Sequence, residues 1–241
     1  MKRIAILLTG TITPPSKAPN LIRKDATLRE NDYLLAISKW VSLGYPIVFC
    51  ENSNSKSIII SNLLSSSKID FEYLTFQSMV SHLGKGHGEA EIFNYAFINS
   101  KILQEVDWVY KVTGRYYLKN ASKIIEATKF DEKTFVSGNL SANLSWCDSR
   151  IFGFQPIFYD KYFSKFLKLI NEKEHVYLEN LLCRAILNCI SDGNAWCFLK
   201  EYPIYEGVYG TDNKKYKNNL VSITKQKVFY KLKKWFFAFF G

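Results

Sequence analysis

The stretch Trp108-Val109-Tyr110-Lys111-Val112-Thr113-Gly114-Arg115 sits near the middle of a 241-residue chain. Its aromatic and β-branched residues form a short run that predicts a strand buried on both faces, as in a parallel sheet. One residue breaks that pattern. A lysine ammonium at position 111 cannot lie in apolar surroundings without a partner or a ligand. In open α/β sheets ligands bind beyond the carboxyl ends of the strands. Lys111, Thr113, Gly114 and Arg115 arrive at such an end, so they are candidates to hold a diphosphate or a carboxylate, a structural ion pair at the strand end being the alternative. Arg115 is suited to clamp its oxygens in bidentate fashion.

Working outward, the flanking segments repeat a strand–helix rhythm. Lys2–Leu8 reads as a buried strand running into Thr9-Gly10-Thr11, and a proline-rich loop covers 13–24. Leu28–Leu43 reads as a helix with Leu28, Leu35, Ile37, Trp40 and Val41 on its apolar face, stopped at Gly44. Pro46–Cys50 is a second strand ending at Glu51, Ser57–Leu64 a helix, and Phe71–Phe76 a third strand. Further strands are expected at 134–138, 149–154 and 195–199, with helices at 90–103, 159–170 and 176–190. This order predicts one α/β domain over residues 1–212, its central sheet mostly parallel and flanked by helices.

Four further groups carry polar chemistry. Gly84-Lys85-Gly86-His87-Gly88-Glu89 precedes a helix, where glycines permit close approach and the helix N-terminus favours a phosphate. It matches neither a P-loop nor a dinucleotide fingerprint, and a surface loop capping the helix is the plainer alternative. Cys147-Asp148-Ser149-Arg150 places an acid and a base at a strand start, either a ligand contact or a turn with a surface ion pair. Glu172, Glu174, His175 and Glu179 surround the start of the 176–190 helix. Glu179 lies in its apolar run and is the preferred general base. Glu201–Asn213, rich in tyrosine and glycine, is either a lid or a surface hairpin.

Charge is unevenly placed. The formal net charge is +10, but eight of the 32 basic residues fall in 213–241, which has no acid; the other 24 face all 22 acids. A nearly neutral body with a basic tail argues against nucleic acid as a partner. In that tail Val228, Leu232, Trp235, Phe236 and Phe239 recur at helical spacing, with Lys227, Lys231 and Lys234 opposite. Residues 225–241 therefore read as an amphipathic helix for an anionic membrane surface, a helix docked on the protein's own core or used for oligomerisation being the alternatives. The five-residue apolar run after Arg3 is too short for a secretory signal, so the protein is expected in the cytoplasm. Its five cysteines show no CxxC spacing and are expected to be reduced.

Taken together, Thr9-Gly10-Thr11, Val48–Ser53, Gly84–Phe97, Val109–Leu118, Ser149–Phe154 and Tyr177–Leu182 resemble a bacterial glycosyltransferase of the GT-A type, from the group that builds O-antigen or capsular polysaccharide. The resemblance covers most of 1–212 and implies a GT-A-like domain that moves a sugar, from a UDP-hexose, to a lipid-linked glycan. It implies inversion, with Glu179 or, second, Asp148 as catalytic base. It implies that Thr9, Gly10, Thr11, Glu51, Lys85, Gly86, His87, Glu89, Lys111, Thr113, Gly114, Arg115 and Arg150 bind the nucleotide-sugar. The chain departs from that group in one respect: it has no Asp-x-Asp, the motif that ligates the diphosphate-bridging metal, and Lys111-Val112-Thr113 stands in its place. Lys85, Lys111 and Arg115 are then expected to supply the positive charge, so no cofactor is expected. A divalent Mn or Mg at Glu89 or Glu91 stays open. With the tail, the resemblance implies an enzyme on the inner face of the plasma membrane. A non-catalytic membrane-surface scaffold and a nucleic-acid-binding protein are the competing classes.

Overall fold

The computed structural model describes residues 2–19, 21–127, 131–216 and 219–240, without the side chains of 239 and 240. Phe239, the last position of the expected tail stripe, therefore lies outside the described side chains. In chain order the elements are β1 (Ile4–Gly10), α1 (Ala26–Val41), β2 (Ile47–Glu51), α2 (Ile58–Ser65), β3 (Phe71–Thr75), α3 (Lys85–Asn99), α4 (Lys101–Glu105), β4 (Trp108–Thr113) and β5 (Tyr117–Leu118). The second half holds α5 (Ala121–Glu126), β6 (Thr134–Ser137), β7 (Ile151–Phe154), α6 (Pro156–Phe158), α7 (Ser164–Leu167), α8 (Leu178–Ser191), β8 (Ala195–Cys197), β9 (Tyr205–Glu206) and α9 (Leu220–Phe240).

Seven strands form one sheet in the order β3-β2-β1-β4-β7-β6-β8. β3, β2, β1 and β4 are parallel, which brings the carboxyl ends of β1 and β4 side by side. β7 runs antiparallel to both β4 and β6. The α/β class expected from the sequence, with a mostly parallel central sheet flanked by helices, is the one observed. β5 and β9 pair separately as a two-stranded ribbon beyond β4.

Strand alternation sorts the core into two faces. Ile6, Leu8, Phe49, Trp108, Tyr110 and Val112 pack under α1 and α2, whereas Leu7, Val48, Val109, Phe152 and Phe154 pack under α3 and α8. Lys111, in step with Val109, therefore faces the α3 side. Gly153 is fixed by its opposite neighbours: an added Cβ would lie 2.5 Å from Trp108 Nε1 and 2.7 Å from Tyr110.

Three local readings change. The buried face of α1 is Arg29, Tyr33, Ala36, Ile37 and Trp40, while Leu28 and Leu35 are exposed. Tertiary packing chose the face one residue round from the expected one, because it carries the largest rings. α3 begins at Lys85 rather than at Ala90, so Gly86 and Gly88 are helical. A Cβ on Gly88 would meet Asn52 Nδ2 at 2.9 Å, so these glycines let the helix sit close rather than form an open loop. The helix expected over 159–170 is present as a helical run over 156–167, in which a π turn, Tyr159–Phe163, joins α6 to α7.

α9 docks on the body. Tyr230 is buried and donates to the Leu199 carbonyl at 2.8 Å, and the Phe237 ring packs on Trp196 and Phe198. Val228, Leu232, Trp235 and Phe236 stay exposed along the other side. No described helix is long and apolar enough to cross a membrane.

Candidate active site

The parallel arrangement opens a cleft at the carboxyl ends of β1 and β4, with about 670 Å³ of empty space between the 11–21 loop, α1 and the start of α3. Gly114 permits the close meeting of the two strand ends. Its N–H donates to the Thr9 carbonyl at 2.8 Å, and a Cβ would lie 2.9 Å from that oxygen.

Lys111 is fully buried, and its ammonium is ion-paired with the Glu89 carboxylate reaching in from α3. It also donates to the Ser149 carbonyl at 2.6 Å. Thr9 Oγ1 donates to the same Glu89 oxygen at 3.1 Å, and Ser149 Oγ donates to Glu179 Oε1 at 2.7 Å. Thr9, Glu89, Lys111, Ser149 and Glu179 thus form one polar chain linking β1, α3, β4, the start of β7 and α8. Glu179 Oε2 has no hydrogen-bond partner among the described residues.

The cleft's charge comes from three other cations. Arg29 and Arg115 are 4% and 8% exposed, and both line it. Arg29 donates to the Thr11 and Arg23 carbonyls and to the Tyr33 hydroxyl; Arg115 donates to the Val208 carbonyl at 2.9 Å. Among the described residues, neither guanidinium has a carboxylate in ion-pair contact. Burial holds Arg29 below its ordinary pKa, and Arg115 lowers it further, partly offset by Tyr33. Lys85 reaches solvent at the rim. Partial burial and then Arg115 push its ammonium below the usual lysine range, against the opposing pull of Glu172. Buried positive charge without a counter-charge is costly unless an anion completes it.

The helix-end phosphate seat expected at Gly84–Glu89 is already occupied by a carboxylate of the chain. Glu172 Oε1 accepts from Gly86 N–H at 2.6 Å, and its carboxyl lies where a Cβ on Gly84 would stand. Glu172, one of the polar residues ahead of the 176–190 helix in the sequence, is thus the cap of α3.

Of the candidate residues, Thr9, Gly10, Thr11, Lys85, Glu89, Thr113 and Arg115 line the cleft. Lys111 lies behind Glu89, and Gly86 and His87 lie in the first turn of α3, off the cleft lining. The Glu51 carboxylate is enclosed by the N–H groups of Ile12, Ser53 and Ser55 and the hydroxyls of Ser53 and Thr75, so it shapes the loops behind the cleft. Asp148 and Arg150 pair with each other in bidentate fashion, and the Tyr205 hydroxyl donates to Asp148 at 3.1 Å. Arg150 lines a separate hollow. Arg29 and Tyr33 complete the cleft but were missed. The signal was an arginine in register with Tyr33, Ile37 and Trp40 on a helix face too apolar for it.

The divalent metal implied by the fold family does not fit this donor set. The lysine at the Asp-x-Asp position pairs with Glu89, the nearest carboxylate; Glu91 accepts from Ser78 and Met79, and Glu72 from the Lys101 and Ile102 N–H groups. Among the described residues no three His, Cys, Asp or Glu side chains converge.

No family model matches the sequence, and no curated protein matches it. Solved structures share the fold. The glycosyltransferase GlyE of Streptococcus pneumoniae superposes with a TM-score of 0.52 at 10% identity, over 83% of this chain and 46% of that one. The chain thus spans just under half of GlyE. Core-mannan synthase A of Aspergillus fumigatus, in its Mn/GDP form, gives 0.50 at 9% identity over 91% and 79% of the two chains. At these identities the likeness shows the fold alone, the GT-A-like one.

The ion pair yields a test. Lys111→Ala leaves Glu89 facing a desolvated site without its ammonium and should cost about 3 kcal/mol in urea unfolding. Adding Glu89→Gln should recover most of that loss. Equal loss in single and double variants would show that the pair is not the source.

Proposed function

We propose that the chain is a glycosyltransferase that moves a sugar from a nucleotide-sugar donor, a UDP-hexose, to a lipid-linked glycan in cell-surface polysaccharide synthesis. The observation that carries this reading is the pair of buried guanidinia, Arg29 and Arg115, without a carboxylate partner in one cleft. With Lys85 at the rim they match the charge of a nucleoside diphosphate and can stabilise it as the leaving group. In this reading Lys111 acts indirectly, by neutralising Glu89 so that no free carboxylate repels the phosphates. Transfer then proceeds without a divalent metal. Thr9, Gly10, Thr11 and Tyr33 form the wall against which the base and ribose lie.

Glu179 is the proposed base. Ser149 orients it through Oε1, leaving Oε2 to take the acceptor proton as the hydroxyl attacks the anomeric carbon from the face opposite the leaving diphosphate. Asp148 is a weaker candidate because Arg150 and Tyr205 already engage it. The exposed stripe Val228, Leu232, Trp235 and Phe236, with exposed Lys227 and Lys231 beside it, supports attachment to the inner face of the plasma membrane. Residues 1–212 are then the catalytic unit and 213–241 the attachment.

UDP, and more weakly other nucleoside diphosphates, should raise the thermal midpoint. Arg29→Met and Arg115→Met should each weaken UDP about ten- to a hundredfold by calorimetry. Absence of any nucleotide binding would leave the scaffold reading. Glu179→Gln should abolish sugar transfer while UDP affinity is kept, and wild-type turnover should persist in EDTA; normal turnover in the glutamine variant removes Glu179 from the chemistry. Leu232→Asp combined with Phe236→Asp should end sedimentation with anionic phospholipid vesicles and spare UDP binding, whereas retained sedimentation would count against the α9 stripe.

A further inference from the structure

A second hollow, separate from the cleft, lies where the tail meets the body. Its cavity of about 420 Å³ lies between Arg150, the 202–209 segment, Lys215, Tyr216 and the first turns of α9. Its wall is phenolic. The Tyr209 and Tyr216 ring centres are 4.0 Å apart, Tyr216 stacks on Tyr205 at 5.3 Å, and Arg150 lies 4.2 Å from the Tyr205 ring centre. Arg150 Nη1 donates to the Tyr216 hydroxyl at 3.1 Å. Beside it runs an apolar groove of about 1150 Å³ lined by Phe229, Leu232, Trp235 and Phe236 of α9. Tyr202 and Gln226 line both, so the two are one continuous surface.

The charges along that surface are not balanced. Arg150 is matched by Asp148, and Lys214 lies 3.8 Å from Asp212. Lys215, on the hollow, and Lys233, on the groove, have no carboxylate in ion-pair contact among the described residues; Lys233 donates instead to Asn139 Oδ1. The hollow carries Arg150, Lys215 and tyrosine hydroxyls, and the groove is lined mainly by apolar side chains with Lys233 among them, so the surface complements a single amphiphile with an anionic head. Stacked tyrosines suit a polar head carrying a ring or a phosphate, since they offer both flat faces and hydroxyl donors. A helix of a partner protein would leave the cationic end unmatched.

We propose that this hollow and groove form a binding site for one phosphate-bearing lipid, its head held by Lys215, Arg150 and the tyrosines and its chain laid along Leu232 and Trp235 of α9. The site places a lipid-borne head beside Asp148–Arg150, at the same edge of the sheet as the donor cleft; only its use as the acceptor's seat rests on the transferase reading. It differs from general membrane attachment in requiring one lipid molecule, in monomeric form, to suffice.

The full chain is titrated by calorimetry with decyl phosphate below its micelle concentration, with decanol, and with inorganic phosphate. Decyl phosphate should bind about tenfold or more tightly than either of the others. Lys215→Glu should weaken decyl phosphate and leave decanol unchanged, whereas Leu232→Asp should weaken both. Equal affinity for decyl phosphate and decanol, or decyl phosphate binding indifferent to both substitutions, overturns the proposal. So does a concentration-dependent dimer abolished by Leu232→Asp without decyl phosphate binding, which assigns the groove to a second copy. UDP stabilisation measured on the same samples reports on the donor cleft alone, so loss of one reading is distinguishable from loss of the other.

Discussion

A lysine fully buried in a parallel strand is the constraint around which this molecule is arranged. Lys111 points into the face of the sheet that is otherwise Leu7, Val48, Val109 and Phe152, so its ammonium has to be met by charge and by hydrogen bonds. Glu89 supplies the charge, which requires α3 to lie close against β4, and Gly88 makes that approach possible at Asn52. Ser149 supplies a carbonyl, which ties the start of β7 to the same point, and its hydroxyl passes the connection on to Glu179. Three elements distant in sequence converge because one cation would otherwise be unsatisfied.

That arrangement also fixes the electrostatics of the cleft. With Glu89 neutralised from behind, the positive charge of Arg29, Arg115 and Lys85 faces the cavity without a free carboxylate to oppose it. The end of this strand carries an internal ion pair, Lys111 with Glu89. In the proposed function this fixed protein charge preorganises the cleft for an anion. Glu172, by capping α3, occupies the helix end that would otherwise be a second seat for an anion in that reading.

α9 joins the second region of interest to the first. Tyr230 and Phe237 hold it to the sheet edge through Leu199, Trp196 and Phe198, so removing the helix would strip the core as well as the surface stripe. The docked orientation leaves Leu232, Trp235 and Phe236 outward and sets the first turns against the tyrosine hollow. Membrane attachment and the lipid site are therefore proposals about overlapping faces of one docked helix, both of which use Leu232 and Trp235.

Much of the fold was legible from residue order. Strands such as Ile4–Gly10 and Trp108–Thr113 are runs of β-branched, aliphatic and aromatic residues long enough only for buried strands, and their alternation with helices dictates a parallel sheet. The tail's apolar stripe could be read from spacing, because helical periodicity is a local property, but not that Tyr230 and Phe237 dock the helix and leave that stripe outward. The anomaly of Lys111 was visible too. What sequence could not supply was its partner: Glu89 lies twenty-two positions away, and only the register of β4 against β1 and the close seat of α3 bring them together. Arg29 was hidden for the same reason. Which side of α1 turns inward depends on the rings of Tyr33 and Trp40 finding space over the sheet, a matter of packing volume that no local pattern encodes. The chain by itself determined the elements and their order; the tertiary structure decided which charges are paired and which stand free in the cleft, because pairing depends on distance in space.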